Sequence, residues 1–168
     1  MAEWRVTHRQ GDDEYELGVG WDDDAFVNGT PEIQVRATVR QRDRGEPRTV
    51  AVSVGIENRD NTGPDLVVSF EGKERFRIPL ADLLDESQVI DRIPAWMYGG
   101  GDPLTGCLIR AGLSSVIGQV IHCKNETGGL DWYRPRVAAI GQCLRANVGR
   151  IGARTAVRAA KCALSAGF

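Results

Sequence analysis

The apolar residues of this 168-residue chain change their period once, near Gly99-Gly100-Gly101-Asp102, and that change limits what each side can fold into. Before it, apolar residues recur at every second position. The sets are Trp4, Val6 and His8; Tyr15, Leu17, Val19 and Trp21; Ile33, Val35, Ala37 and Val39; Val50, Val52, Val54 and Ile56; Leu66, Val68 and Phe70; and Phe76, Ile78 and Leu80. Side chains alternate across a strand, so each set marks one face of a strand and six strands are predicted. Gly11-Asp12-Asp13, residues 22–31, 43–47 and 58–64, and Gly72-Lys73 separate them, all turn chemistry short enough to join antiparallel neighbours.

The expected result is a meander with one apolar face and, on the other, Arg5, Glu14, Glu16, Glu32, Arg36, Arg40, Arg75 and Arg77. Pro79 has no N–H to give to a ladder, which ends the sixth strand or places it at an edge. The apolar face must be covered by a folded-over second sheet, by closure into a barrel, or by the helices that follow. Residues 80–94 read as a short helical or irregular bridge, with Trp96 and Tyr98 packing at the junction.

Beyond Asp102 the spacing becomes three and four. Over residues 104–122 the apolar positions are Leu108, Ile109, Leu113, Val116, Ile117, Val120 and Ile121, with Arg110, Ser114, Ser115, Gln119 and His122 opposite, which predicts an amphipathic helix. A second helix opens near Pro135, with Val137, Ile140, Leu144 and Val148 as its stripe, and Gly149 and Gly152 end or bend it. A third, over 153–166, puts Val157, Ala160 and Leu164 on its apolar side. The predicted class is α+β: a six-stranded antiparallel meander, sandwich-like or open, then three helices. Residues 1–98 form an acidic β-rich part, 99–103 a Gly-rich hinge and 104–168 a cationic helical part.

Charge follows the same division. Residues 1–102 hold 21 acids and 12 Lys or Arg, and residues 103–168 hold 2 and 9, so a total of −2 hides segments of −9 and +7. Arg150, Arg154, Arg158 and Lys161 follow steps of four, four and three and align on one helical face with no acid nearby in sequence. Such a stripe is a solvated face or a contact to anionic lipid, to an acidic protein surface or to nucleic acid. Nucleic acid ranks last, since the stripe lacks interleaved aromatics and a known binding module, and the whole-chain pI is about 5.7.

All four cysteines, Cys107, Cys123, Cys143 and Cys162, lie in the helical part. They are buried thiols or disulfides, and three pairings are open. One has a geometric basis: if 107–123 and 143–162 run antiparallel, Cys123 with Cys143 and Cys107 with Cys162 staple the hairpin at both ends. The arms, of 16 and 19 residues, would be about 24 and 28 Å long, a near match. Zinc is disfavoured, because the only nearby histidine, His122, adjoins Cys123 and no Cys-x-x-Cys occurs.

Catalytic patterns are sparse. His8 and His122 are the two histidines, and there is no Gly-x-Ser-x-Gly elbow, phosphate loop or dinucleotide fingerprint. Asp22, Asp23, Asp24 and Asp60, with Glu57, fall on connections that leave the meander at one end. A calcium site there competes with plain hydrated turns. Asn28-Gly29-Thr30 and Asn125-Glu126-Thr127 match the glycosylation pattern but read more simply as turns. The N-terminus lacks a secretory pattern, and no uninterrupted apolar run approaches the length of a membrane span, so neither export by a signal nor a spanning helix is expected.

The leading expectation is a non-enzymatic, membrane-active or membrane-surface protein, toxin- or bacteriocin-like, whose acidic part keeps the cationic part soluble. A protein-binding or assembly module, in which the helices simply cover the sheet, stands next, and an enzyme third.

Overall fold

The computed structural model describes residues 2–22, 31–42, 45–58, 64–99, 102–127 and 134–165. Six strands form one open antiparallel sheet in chain order: β1 (Ala2–Gln10), β2 (Asp13–Trp21), β3 (Glu32–Arg40), β4 (Arg48–Asn58), β5 (Pro64–Phe70) and β6 (Lys73–Pro79). Among the described residues a 3-10 turn, Leu80–Asp82, and five α-helices follow: α1 (Ser87–Ile90), α2 (Ala95–Gly99), α3 (Pro103–Glu126), α4 (Arg134–Ala146) and α5 (Val148–Ser165). The sheet is a meander, as the alternation predicts, and of the three possible covers the helices supply the one used.

Register converts the period-two sets into rows. Trp4, Val19, Val35, Val52 and Phe70 stand opposite one another across five strands, as do Trp21, Ile33, Val54, Val68 and Phe76. Val35, Val52, Val54 and Val68 are buried and Phe76 is half-buried. A slip of one residue would turn whole rows to water, so the pattern pins the register. The middle row is closed by three different helices. Gly152 of α5 meets the Trp4 indole, Gly112 of α3 sits on Val35, and Tyr98 of α2 packs edge-on to Phe70 at 5.7 Å. A Cβ added at Gly112 would fall 2.5 Å from Val35 Cγ1, so only glycine allows α3 to approach this closely.

The solvent face of the sheet carries the expected ion pairs, Arg5–Glu16 at 3.3 Å and Arg9–Glu14 at 2.8 Å. Arg77 gathers three acids, bonding Glu57 at 2.9 Å, Asp65 at 3.0 Å and Glu74 at 2.7 Å. Those bonds hold its guanidinium well above its usual pKa. Pro79 ends β6, which is also an edge strand. The β5–β6 turn places Glu71 and Gly72 at positive φ, 52° and 79°, the backbone a tight hairpin needs.

α3 is the centre of the molecule. It packs on β2, β3 and β4 on one side and on α1, α2, α4 and α5 on the others. The sequence expects a polar face on this helix, but Ser114, Ser115 and Gln119 are buried, because α5 and the α1 region close over that side. Ser115 returns its hydroxyl to Ala111 O at 2.9 Å, which satisfies it without a partner helix. Lys124 is buried as well: its Nζ donates to Leu80 O at 3.1 Å and to Leu83 O, tying α3 to the start of the bridge. Burial lowers the Lys124 pKa, partly offset by Asp82. One core runs through sheet and helices alike.

Further expectations differ from the structure. α5 begins at Val148 and runs through both Gly149 and Gly152, and the chain breaks instead at Asn147, whose side chain bonds back to Cys143 O at 2.7 Å. Val157, Ala160 and Leu164 are exposed, and the buried side of α5 is Ile151, Gly152, Thr155, Ala159, Cys162 and Ala163. Of the junction aromatics, Tyr98 is buried but Trp96 is 65% exposed. Gly99, in the stretch read as a hinge, is in close contact: a Cβ there would lie 2.5 Å from Gly106 N, so it serves tight packing of α2 on α3. Gly100 and Gly101 lie outside the described residues.

Candidate interaction surface

The four cysteines form Cys107–Cys162 and Cys123–Cys143, with Cα–Cα distances of 5.7 and 5.6 Å, within the usual disulfide range. This is the stapled arrangement with a geometric basis in the spacing. The second arm differs from the simple hairpin, being two helices: Cys143 stands on α4 and Cys162 on α5. The bridges fix α4 and α5 against opposite ends of α3 and so decide which side of α5 faces outward.

That outward side is a single stripe. Arg150, Arg154, Val157, Lys161 and Leu164 follow steps of four, three, four and three, and all are exposed, Val157 by 60% and Leu164 by 74%. Among the described residues, Arg150, Arg154 and Lys161 take part in no ion pair. From residue 134 to 168 the chain has seven Lys or Arg and no acid. The predicted stripe thus gains two exposed aliphatics and loses one cation to an internal contact. Arg158 sits on the flank, where its Nη1 donates to Ser114 Oγ and its Nη2 lies 3.7 Å from Glu86 Oε1; Ser114 Oγ in turn donates to Glu86 at 2.5 Å.

The same flank opens a groove of about 350 Å³ between α1, α3 and α5. Ile90, Ala111 and the Cys107–Cys162 bridge form apolar walls, and Arg110, Arg158 and Lys161 stand around them. Arg110 is fixed by its backbone bond to Gly106 O at 3.2 Å and lies 5.6 Å from the centre of the Tyr98 ring. Tyr98 donates to Ile90 O at 2.7 Å, and burial pushes its phenol up to about 12, so it stays neutral. Sequence reasoning missed this cluster, although a signal for it existed. Arg110 is three residues after Cys107, and Arg158 and Lys161 are four and one before Cys162, so pairing those cysteines brings the cations together. A second groove, of about 360 Å³, lies over the far end of the sheet, where Val50, Phe70, Met97 and Trp96 meet Lys73 and Arg75.

Of the acids expected to hold calcium, Asp23, Asp24 and Asp60 lie outside the described residues, and Asp22 is exposed. Glu57, grouped with them by topology, is held by Arg77. Among the described residues no three His, Cys, Asp or Glu side chains gather as metal ligands. His8 stacks at 5.5 Å from Tyr15, and His122 lies 3.8 Å from Glu126, one helical turn on. The sequon at Asn28 lies outside the described residues; at the other, expected as a turn, Asn125 and Glu126 instead end helix α3, and Thr127 caps it by donating to Cys123 O at 2.9 Å. α3 has the length and apolarity of a membrane span, contrary to expectation, yet 72% of its apolar window is buried within the fold. Compared with family models, curated proteins and solved structures, the chain matches none.

Proposed function

We propose that the protein is a peripheral binder of anionic membrane surfaces, and that it meets the membrane with the outward stripe of α5. The observation that carries this reading is the pairing of exposed Val157 and Leu164 with Arg150, Arg154 and Lys161 on one helical face. Interfacial helices combine these ingredients, aliphatic side chains for the acyl boundary and cations for the headgroups. The reading narrows the toxin-like expectation to surface attachment. Insertion of α3 would require it to leave the sheet and both bridges, whereas α5 presents its stripe without any rearrangement. The acidic sheet, on this reading, keeps the molecule soluble and gives it an orientation, since anionic lipid repels one end and attracts the other.

Co-sedimentation with vesicles tests it. Vesicles containing phosphatidylserine should carry the protein down at low salt, and neutral vesicles should not. Gln at positions 150, 154 and 161 should weaken binding by about 1 kcal/mol per charge, with the loss shrinking as salt rises. Val157→Ser with Leu164→Ser should weaken it further at every salt concentration. Wild-type protein that ignores anionic vesicles at low salt would overturn the reading.

The groove at Val50, Phe70, Met97 and Trp96 favours a second reading, a protein-binding module. An exposed tryptophan beside an apolar cleft is a common anchor at protein interfaces. Trp96→Ala distinguishes the two, since on the membrane reading it leaves vesicle binding intact.

A further inference from the structure

We propose that the groove between α1, α3 and α5 is a binding site for a single-chain anionic amphiphile, an acyl chain with a carboxylate head. Its volume, about 350 Å³, lies within the range of small-molecule pockets, roughly 300–1,000 Å³. Its walls divide by chemistry. Ile90, Ala111 and the Cys107–Cys162 bridge offer apolar contact, and Arg110, Arg158 and Lys161 are the charged groups around it. Glu86 neutralises only Arg158. Among the described residues Arg110 and Lys161 join no ion pair, which leaves a formal +2 beside an apolar wall. An apolar ligand would leave those charges unused, and a small hydrophilic anion would leave the wall wet; an amphiphile uses both.

The site is built before any ligand arrives. Glu86 and Ser114 hold Arg158, Gly106 O and the Tyr98 ring hold Arg110, and the disulfide fixes the distance between α3 and α5. Arg110 and Arg158 therefore have little side-chain freedom to lose on binding, and Lys161 alone has to be ordered. The proposal goes beyond the membrane reading: Lys161 belongs to both surfaces, but Arg110 is on α3 and not on the outward stripe of α5, so a change there separates the two.

Isothermal titration with decanoate below its micelle concentration tests it, with butyrate as a head without a chain and decanol as a chain without a charge. Decanoate should bind measurably and more tightly than either control. Arg110→Gln should weaken it by about tenfold, the loss of one charge-assisted contact. Ser165→Trp, at an exposed position on the groove's edge, should block it while leaving the melting temperature unchanged. The same Arg110→Gln protein should still sediment with anionic vesicles if the wild type does. No binding of decanoate, equal binding of butyrate or decanol, full binding by both variants, or a loss of vesicle binding together with decanoate binding would each overturn the proposal.

Discussion

α3 and α5 are read from similar spacing, yet the fold treats them as opposites. α3 is covered along most of its surface, with its serines and glutamine buried beside its leucines and Arg110 and His122 left exposed. α5 buries small residues, Gly152, Thr155, Ala159 and Ala163, and sends Val157 and Leu164 outward with its cations. Three-and-four spacing announces a helix, but a helix has as many covered faces as it has neighbours. α3 has the sheet on one side and four helices, α1, α2, α4 and α5, on the others, whereas α5 has α3, the end of α4 and the edge of β1. Small residues line the inner side of α5 because it lies close, with Gly152 against Trp4.

The largest effect that sharpens this contrast is loss of the staples. The loops closed by Cys107–Cys162 and Cys123–Cys143 span 55 and 20 residues. On chain-entropy grounds they contribute about 4 and about 3 kcal/mol. Oxidised protein should weigh about four hydrogens less than reduced protein, and reduction should move the denaturation midpoint down sharply. Equal midpoints would mean that packing alone holds α5 on α3. Next comes Gly112→Leu, which drives a side chain into Val35 and should cost about 3 kcal/mol, the upper end of overpacking, in chemical denaturation. A neutral result would show that α3 is not pressed on the sheet.

Alkaline pH gives the third effect. The Tyr98 phenol is pushed up to about 12 from 10 by burial and stays protonated in the folded state when an unfolded tyrosine has already ionised. The folded state therefore holds more protons between those values, and stability is intact below pH 10 and falls as pH rises toward 12. The loss approaches about 2 kcal/mol. Absorbance titration should show Tyr98 ionising last, after Tyr15, which burial also raises; Tyr98→Phe should remove that last step and its share of the pH dependence.

The smallest effects belong to α5. Nothing lies within 4 Å of a Cβ added at Gly149, and in the first turn of the helix Gly149→Ala should gain only a few tenths of a kcal/mol. Gln at 150 and 154 should change stability by less than about 0.5 kcal/mol, because exposed charges contribute little. If these changes destabilise as Gly112→Leu does, the outward side of α5 is not free and the comparison fails.

Most of the sheet was legible because a strand is a local code. One alternating set such as Val50, Val52, Val54 and Ile56 fixes a face, and short turns then leave a meander as the simplest pairing. The cysteine pairing was half-legible, since 16 and 19 residues give arms of near-equal reach. The break at Asn147 was missed because Gly149 and Gly152 are stronger breakers by propensity, and close packing against Trp4 outweighed that cost.

The sequence by itself determined the α+β class, the strand faces, the register and the starts of α3 and α4, because alternation, turn chemistry and a proline in the first helical turn act within a few residues. Only the tertiary structure decided which sides of the helices see water. Burial of Ser114 and Gln119, exposure of Val157 and Leu164, and the meeting of Arg110 with Arg158 and Lys161 all depend on which element lies alongside. That is settled by the sheet's need for a cover and by two covalent bridges across 55 and 20 residues, interactions that no local pattern encodes.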